Sequence, residues 1–237
     1  MRFFAPKELI KTTIALLLCF GCLAAAQWQY HRGQNQAHQN SIIRANQTQP
    51  ALNENQLAHI DPIANQWRTV ALHGEFQSQH QLLIRDRYYQ GVYGFEVLTL
   101  FHAPVAGDYW LDRGWVKAGA NAATPPSVPS PQTGTLEVVA RIRSENLNKQ
   151  IQGSFFALPQ LSANTTSHAF SIAHAQGASA APFYLDLVSA KPAKAGPFNQ
   201  IELPDLSDGP HYAYAIQWLA FAALILIGRG MLFREFI

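Results

Sequence analysis

The chain has little cysteine and little charge. Of its 237 residues only two are cysteine, and Asp, Glu, Lys and Arg together make up 14%. Both cysteines, Cys19 and Cys22, lie in the first apolar run, so neither disulfides nor a thiolate metal site can form elsewhere. A soluble domain joined to two apolar membrane helices would have a charged fraction as low as this. A net charge of +2 is too small to predict nucleic acid as a partner.

Recognisable catalytic motifs are also absent. The sequence contains no G-x-S-x-G elbow, no H-E-x-x-H zinc motif, no P-loop and no G-x-G-x-x-G. Its nine histidines are scattered without close metal-ligand spacing. The spacing of Cys19 and Cys22 is that of a redox motif, but a thiolate is costly in an apolar run, so we favour structural packing for this pair. We therefore expect a protein that is not an enzyme.

Two apolar runs are long enough to cross a membrane. Residues 12–30 carry no charge, and at ~1.5 Å per residue they reach the ~30 Å thickness of the hydrocarbon layer. The second run covers residues 211–228. An alternative for the first run is a signal peptide cleaved after Ala26, because basic residues precede it and small residues end it; an uncleaved anchor is the favoured interpretation.

Basic residues flank both runs on their outer sides. Arg2, Lys7 and Lys11 precede the first, and Arg229 and Arg234 follow the second. The positive-inside rule then predicts a multi-pass protein of the bacterial inner membrane with a periplasmic central region. The predicted organisation is a cytoplasmic N-terminus (1–11), a transmembrane helix (12–30), an extracytoplasmic β-rich domain (31–210), a second transmembrane helix (211–228) and a cytoplasmic C-terminus (229–237).

The central region alternates apolar and polar residues between turn signals, which is typical of antiparallel strands. We predict at least six strands in a barrel- or sandwich-like domain with short helices. The predicted strands are residues 67–76, 80–89, 92–101, 108–116, 134–143 and 182–188. The Ser- and Ala-rich residues 158–177 predict a short helix, and residues 29–46 a helical continuation of the first run.

The entrance of the second apolar helix carries the most specific side chains. Ser207 or Asp208 is the predicted N-cap, and Pro210 suits the first turn. One face then presents an imidazole, aromatic rings and small residues: His211, Tyr214, Ala215, Trp218, Ala222 and Ile225. This stripe would suit a flat, iron-bearing macrocycle. The alternative is an interfacial aromatic belt that sets the depth of the helix.

Other polar residues extend or compete with this hypothesis. Gln217 lies on another face, where it could hydrogen-bond a partner helix or a formyl or propionate group. His31, at the outer end of the first helix, is either a second axial ligand or a solvated side chain. The arginine pair in residues 85–87, and likewise Asp112 with Arg113, are either a site for an anionic ligand or part of an exposed face with ordinary ion pairs.

Small residues also predict how the two apolar helices pair. Gly21 and Ala25 lie four apart on the first helix, and Ala215 and Ala222 share a face of the second. Small residues let helix backbones approach closely in lipid. An alanine-rich span shows such spacings by chance, which is the alternative.

Six motifs in order resemble the Surfeit locus protein 1 family, whose members are assembly factors for haem–copper cytochrome oxidase. They are QWQYHR after the first apolar run, VALHGEF, LLIRDRYYQGVYGFEVLTLF, WLDRGWV and GPHYAYAIQWLAFA, the third of which holds two family patterns. Asp112 replaces the usual asparagine of the N-R-G-W-V pattern. The region from residue 118 to 180 matches nothing in the family pattern.

The resemblance implies a membrane protein that helps haem a to reach oxidase subunit I, or that stabilises subunit I. It implies haem a as a transient cofactor, with His211 as ligand of the haem iron, and the family's tyrosine and tryptophan fall on Tyr214 and Trp218. Oxidase subunit I, membrane lipid and haem a synthase are the implied partners. The alternative function is a scaffold that binds an oxidase subunit during assembly without holding haem.

Overall fold

The computed structural model describes residues 6–120, 126–144, 156–157, 180–181, 183–199, 203 and 205–234. The chain divides into two compact units. One is helical and comprises Met1–Ser41 with Asp205–Ile237. The other, Ile42–Pro204, is mainly β. The predicted helix at residues 158–177 lies outside the described residues.

Three α-helices are described: α1 (Pro6–Thr48), α2 (Glu54–Leu57) and α3 (His211–Arg234). Helix α1 has 43 residues, so the predicted continuation of the first apolar run is confirmed. Helix α2 begins with Asn53 as its N-cap in a capping box with Gln56. Helices α1 and α3 are each long and apolar enough to cross a membrane.

Helices α1 and α3 pack against each other through small residues. Cys19, Cys22 and Ala26, at spacings of three and four, are buried on α1, as are Ala215 and Ala222 on α3. The prediction for the two alanines of α3 is confirmed. The prediction for Gly21 is wrong: this glycine is exposed, and a Cβ added to it would meet no atom within 4 Å. The contact stripe of α1 passes through Cys19, and Gly21 lies about 200° around the helix from Cys19, away from α3.

The entrance of α3 is held by α1 rather than by a local cap. Asn40, only 1% exposed, donates its side-chain amide to the carbonyl oxygens of Leu206 and Ser207 and to Oδ1 of Asp208, at 2.9–3.1 Å. The carbonyl of Pro210 accepts the first helical bond, from the N–H of Tyr214 at 3.0 Å. The prediction of Ser207 or Asp208 as N-cap is wrong, because the helix begins at His211, which places Pro210 at the N-cap position.

The opposite ends of the two helices are joined by a charged pair. Arg229 on α3 donates to Oε2 of Glu8 at 3.0 Å and to the hydroxyl of Thr12 at 2.9 Å and 3.2 Å. Glu8 also accepts from Lys11 at 2.8 Å. Polar contacts therefore fix both ends of the helix pair, while small residues pack along its length.

The β unit contains one mixed sheet of six strands. They are β1 (Thr69–Tyr89), β2 (Val92–Ala103), β3 (Gly107–Lys117), β4 (Leu136–Arg143), β5 (Phe156–Ala157) and β6 (Tyr184–Lys191). All pairings between them are antiparallel except that of β3 with β6.

The sheet closes into a barrel, because β1 pairs with β4 along its first six residues and with β2 from Glu75 to its end. The closed order is β1–β2–β3–β6–β4–β1. The predicted strands at residues 67–76 and 80–89 are one strand of 21 residues. A register shift between Gln77 and Gln81 interrupts the pairing there, which explains why the sequence pattern breaks at this point.

Aliphatic and aromatic residues at alternate positions of the strands fill the barrel interior. Val70 and Leu72 of β1 face Leu111 of β3 and Leu185 of β6 in this core, and all four are at most 1% exposed. A second cluster, on the other face of the sheet, centres on Trp110 and includes Leu98 and Tyr184. Strands β2, β3 and β6 are therefore buried on both faces.

Candidate functional site

His211 is the first residue of α3 and lies at the contact with α1. Its Nδ1 is 2.9 Å from Oε1 of Gln29. The side chain is partly buried. On the next turn of α1, a Cβ on Gly33 would lie 3.0 Å from the ring of Tyr212, so the ring packs closely on the backbone of α1 at this glycine. Two contacts between the helices therefore set where the imidazole lies.

The bond to Gln29 favours one tautomer of the neutral imidazole. An amide oxygen is only an acceptor, so Nδ1 must carry the proton and donate it. In the neutral ring Nε2 then holds the lone pair, which is the form that binds a metal. Nε2 makes no hydrogen bond to any residue that the structure describes. No local pattern predicts that Gln29 faces His211, because the two are 182 residues apart.

The predicted stripe on α3 is used largely to pack against α1. Ala222, with Trp218 and Ile225 beside it, forms one apolar cluster with Cys19 and Cys22. The lower part of the stripe therefore contacts α1, and the hypothesis that the stripe accommodates a macrocycle stays a prediction. Both cysteines are buried in this cluster, in agreement with structural packing.

Tyr214 and Gln217 lie on the other edge of α3. Tyr214 is 47% exposed and Gln217 is also exposed. At about 100° per residue, Tyr214 lies about 60° to one side of His211, whereas Tyr212 lies about 100° to the other. The structure thus brings Tyr214 close to His211 along the helix and leaves Gln217 on the outer face.

His31 is not brought together with His211. It is exposed and touches the ring of Tyr30 edge-on, with centroids 6.1 Å apart. On α1 it lies about 200° around the helix from Gln29, the residue that contacts His211. Within the described residues, no group of three or more His, Cys, Asp or Glu side chains forms a metal cluster. Of these two histidines, the structure places His211, and not His31, at the contact between the helices.

The β unit contains a second group of titratable side chains. Asp112 of β3 and Asp186 of β6 are direct partners in the parallel pair and are both 0% exposed. Oδ1 of Asp112 accepts from the N–H of Gly114 at 2.8 Å. Oδ2 of Asp186 accepts from Arg143 at 3.0 Å. The remaining oxygen of each carboxylate has no hydrogen-bond partner among the described residues.

Burial changes the protonation of these acids. It raises the pKa of Asp112 well above its usual range, and the charges of Glu96 and Asp186 raise it further. Burial also raises the pKa of Asp186 to about 6, although the charge of Arg143 acts in the opposite direction. These groups are enclosed in the protein, so the expectation of an exposed face around Asp112 is wrong.

The neighbouring arginines are also bound within the β unit. Arg113 is 4% exposed, stacks on Phe198 at 4.7 Å and donates to the carbonyl of Pro129 at 3.0 Å; burial lowers its pKa to about 10. Arg87 pairs with Glu96 at 2.8 Å, as the ion-pair alternative predicts. Arg113 and Arg87 are therefore occupied by contacts of this unit.

Comparison with known proteins adds a family to this geometry. Residues 16–223 match the sequence model of the SURF1 family. Uncharacterised SURF1-like proteins of Mycobacterium tuberculosis and Mycobacterium bovis are each 30% identical over 218 residues, which cover 90% of this chain and 77% of theirs. The match begins within the first apolar run and ends within α3, so it includes both Gln29 and His211.

Proposed function

Because the chain belongs to the SURF1 family, which is known for cytochrome oxidase assembly factors, we propose that it carries haem a for insertion into oxidase subunit I. In this proposal the protein is an assembly factor and carrier, not an enzyme. Helices α1 and α3 anchor it in the bacterial inner membrane, and the β unit lies in the periplasm. Subunit I and haem a synthase are the proposed partners.

The contact between His211 and Gln29 is the observation that carries this proposal. Histidine is a common axial ligand of haem iron, and a ligating imidazole usually donates its other N–H to an acceptor that fixes the ring. Gln29 supplies that acceptor at 2.9 Å. The unshared Nε2 of His211 is then the proposed iron ligand, with Tyr214 and Trp218 as neighbouring rings and Gln217 as a donor at the outer edge of α3.

Haem a would supply the redox-active iron that the oxidase needs, and the residues of this chain would bind and orient it. The packing of α1 on α3 holds His211 in place before binding, which reduces the ordering cost of ligation. A single protein ligand also suits a carrier, because release then requires breaking one iron–nitrogen bond.

The test is the optical spectrum of the full chain, purified in detergent from cells that make haem a. We expect a Soret band for the natural protein and a weaker band, with an intact fold, for His211→Ala. His31→Ala is the matched control, because His31 is exposed on the same helix pair and packs on the neighbouring ring of Tyr30 rather than on α3. A Soret band that His211→Ala leaves unchanged would exclude His211 as the ligand.

A second function, a scaffold for an oxidase subunit, is favoured by the turn between β1 and β2. Tyr88, Val92 and Tyr93 there are 69%, 42% and 37% exposed. Exposed aromatic residues of this kind are enriched in protein interfaces. A scaffold would co-purify with the oxidase without colour, and Tyr88→Ser with Tyr93→Ser would reduce co-purification. If co-purification survives His211→Ala and every preparation is colourless, the scaffold replaces the carrier.

A further inference from the structure

An apolar groove of about 430 Å³ opens between α1 and α3. Its surface is almost entirely carbon and is contributed by both helices. Ala26 and Ala215, 5% and 7% exposed, form its buried part, and Leu23 and Leu219 are half-exposed. This volume lies in the range of about 300–1,000 Å³ that is usual for small-ligand sites.

The groove begins one helical turn from the imidazole of His211. Ala215 and Leu219 follow His211 at intervals of four residues, so the three lie on successive turns of one side of α3. From Tyr212 to Leu219 the groove extends about 10 Å along the helix. Among the described residues, those of α3 that line it lie on the side of His211 opposite Tyr214.

The groove is lined by aromatic rings at one end and by aliphatic side chains at the other. Tyr30 and Tyr212 meet edge-on at the end nearest His211, with ring centroids 5.8 Å apart. Leu23 and Leu219 line the other end. A ligand that fits both the imidazole and the groove is therefore amphiphilic, with its metal-bearing part beside His211 and a long hydrocarbon chain beyond it.

We propose that this groove receives the linear isoprenoid chain of haem a while His211 binds the iron. This inference rests on the proposed function. Haem a and haem o both carry such a chain, whereas haem b carries a vinyl group in its place. A lipid acyl chain shares the hydrocarbon chemistry but has no group that an imidazole can ligate, so the continuity of the groove with His211 favours the tailed haem. The groove would then distinguish tailed from untailed haems.

The experiment compares the affinities of haem o and haem b for the purified full chain in detergent, by titration of the Soret absorbance. Haem o is the probe because it has the isoprenoid chain without the formyl group, so the comparison isolates the chain. We expect the natural protein to bind haem o about tenfold more tightly than haem b or better, the size of discrimination that a hydrophobic pocket gives.

Leu219→Trp fills the groove from its half-exposed edge. We expect it to abolish the preference for haem o while the affinity for haem b stays within about twofold. Leu224→Trp is the matched control, because Leu224 is an exposed leucine of α3 that does not line the groove. It should keep the preference. Leu219→Ala is a second variant, which enlarges the groove by removing side-chain volume instead of adding it. We expect this variant to preserve the fold and also to weaken haem o binding.

The outcomes separate this inference from the proposed function. Equal affinities for the two haems, both lost in His211→Ala, would overturn the groove and leave the carrier proposal standing. A preference that survives Leu219→Trp would also overturn the groove, and a phospholipid retained there in native mass spectra would identify its occupant. Failure of the natural protein to bind either haem would overturn both proposals.

Discussion

Polar side chains are enclosed in the barrel, whereas in the helix pair they lie near the helix ends. In the barrel, Asp112 and Asp186 are fully enclosed, and each retains an oxygen without a partner among the described residues. In the helix pair, the polar groups join the two helices near their ends, and His211 remains partly exposed. An enclosed acid affects stability, whereas an oriented and accessible imidazole can bind a ligand. Chemistry with a ligand is therefore expected in the helix pair.

The two units also differ in how they use small residues. In the barrel, Gly74 and Gly94 lie where another strand's backbone leaves no room for a side chain. On α1, Gly33 admits an aromatic ring, and Gly21 faces open space. Glycine is thus obligatory in the barrel for backbone approach, while along the helix its importance depends on which side of the contact stripe it occupies.

The largest expected effect is that of Gly94→Ala. Its Cβ would clash with the carbonyl oxygen of Val116 and the ring of Trp115, so we expect a loss of about 3 kcal/mol in the free energy of unfolding. Denaturant unfolding followed by near-ultraviolet circular dichroism measures it. Gly21→Ala is the control and should be neutral or stabilising by up to about 1 kcal/mol. Equal stabilities for the two variants would contradict the barrel packing.

The next effect concerns pH. A carboxyl group whose pKa is higher in the folded than in the unfolded state binds its proton more tightly when the protein is folded. Its contribution to the free energy of unfolding is therefore complete below about pH 4 and is lost as the pH rises through the folded pKa. For Asp186, with a pKa of about 6, the loss amounts to about 3 kcal/mol. The higher pKa of Asp112 extends the decline above pH 6.

Asp112→Asn tests this decline, because asparagine has nearly the shape of a protonated aspartic acid and cannot ionise. We expect the stability of this variant to fall less between about pH 5 and 8 than that of the natural protein. Thermal unfolding across that range is the measurement. Glu75→Gln, which changes an exposed carboxylate of β1, should leave the slope unchanged. A slope equal to that of the natural protein would mean that Asp112 does not contribute to the decline and is ionised in the folded state, since Asp186 alone then accounts for the whole slope.

A smaller effect is expected at the hydrogen bond of the imidazole. Gln29→Leu removes the acceptor of the His211 N–H, and we expect it to weaken haem affinity about 10- to 100-fold, the usual effect of losing such a partner. Gln29→Glu keeps an acceptor and should retain binding. Asn35→Leu changes an exposed amide side chain on the same helix and serves as control. If Gln29→Leu binds haem as well as the natural protein, Gln29 has no positioning role.

The smallest effect is expected at the far end of the helix pair. Thr12→Val removes the hydroxyl that accepts two bonds from Arg229 and should cost about 1 kcal/mol of stability. Thr13→Val is its matched control, because the hydroxyl of Thr13 bonds only to the carbonyl of Leu9 on its own helix. Thermal unfolding in detergent compares them, and equal midpoints would show that Arg229 is held by Glu8 alone.

Much of the fold could be predicted from local patterns. Long apolar runs predict both long helices, which extend several residues beyond the predicted bounds, and alternation predicts most of the strands, since both periodicities are properties of neighbouring residues. The single 21-residue β1 was missed because its bulge after Gln77 interrupts the alternation. At the candidate site, His211 was predicted from its position at a helix entrance, whereas the role of Gln29 was not.

By itself, the sequence determined the two apolar helices, the β-rich region between them and the imidazole at the start of α3. Only the tertiary structure decided that Gln29 holds His211, that Asp112 lies beside Asp186, and that Trp218 packs on α1 with the two cysteines. The physical reason is that helices and strands follow the short-range period of the backbone, whereas these contacts depend on helix rotation and strand register. A change of one residue in either would place different side chains together.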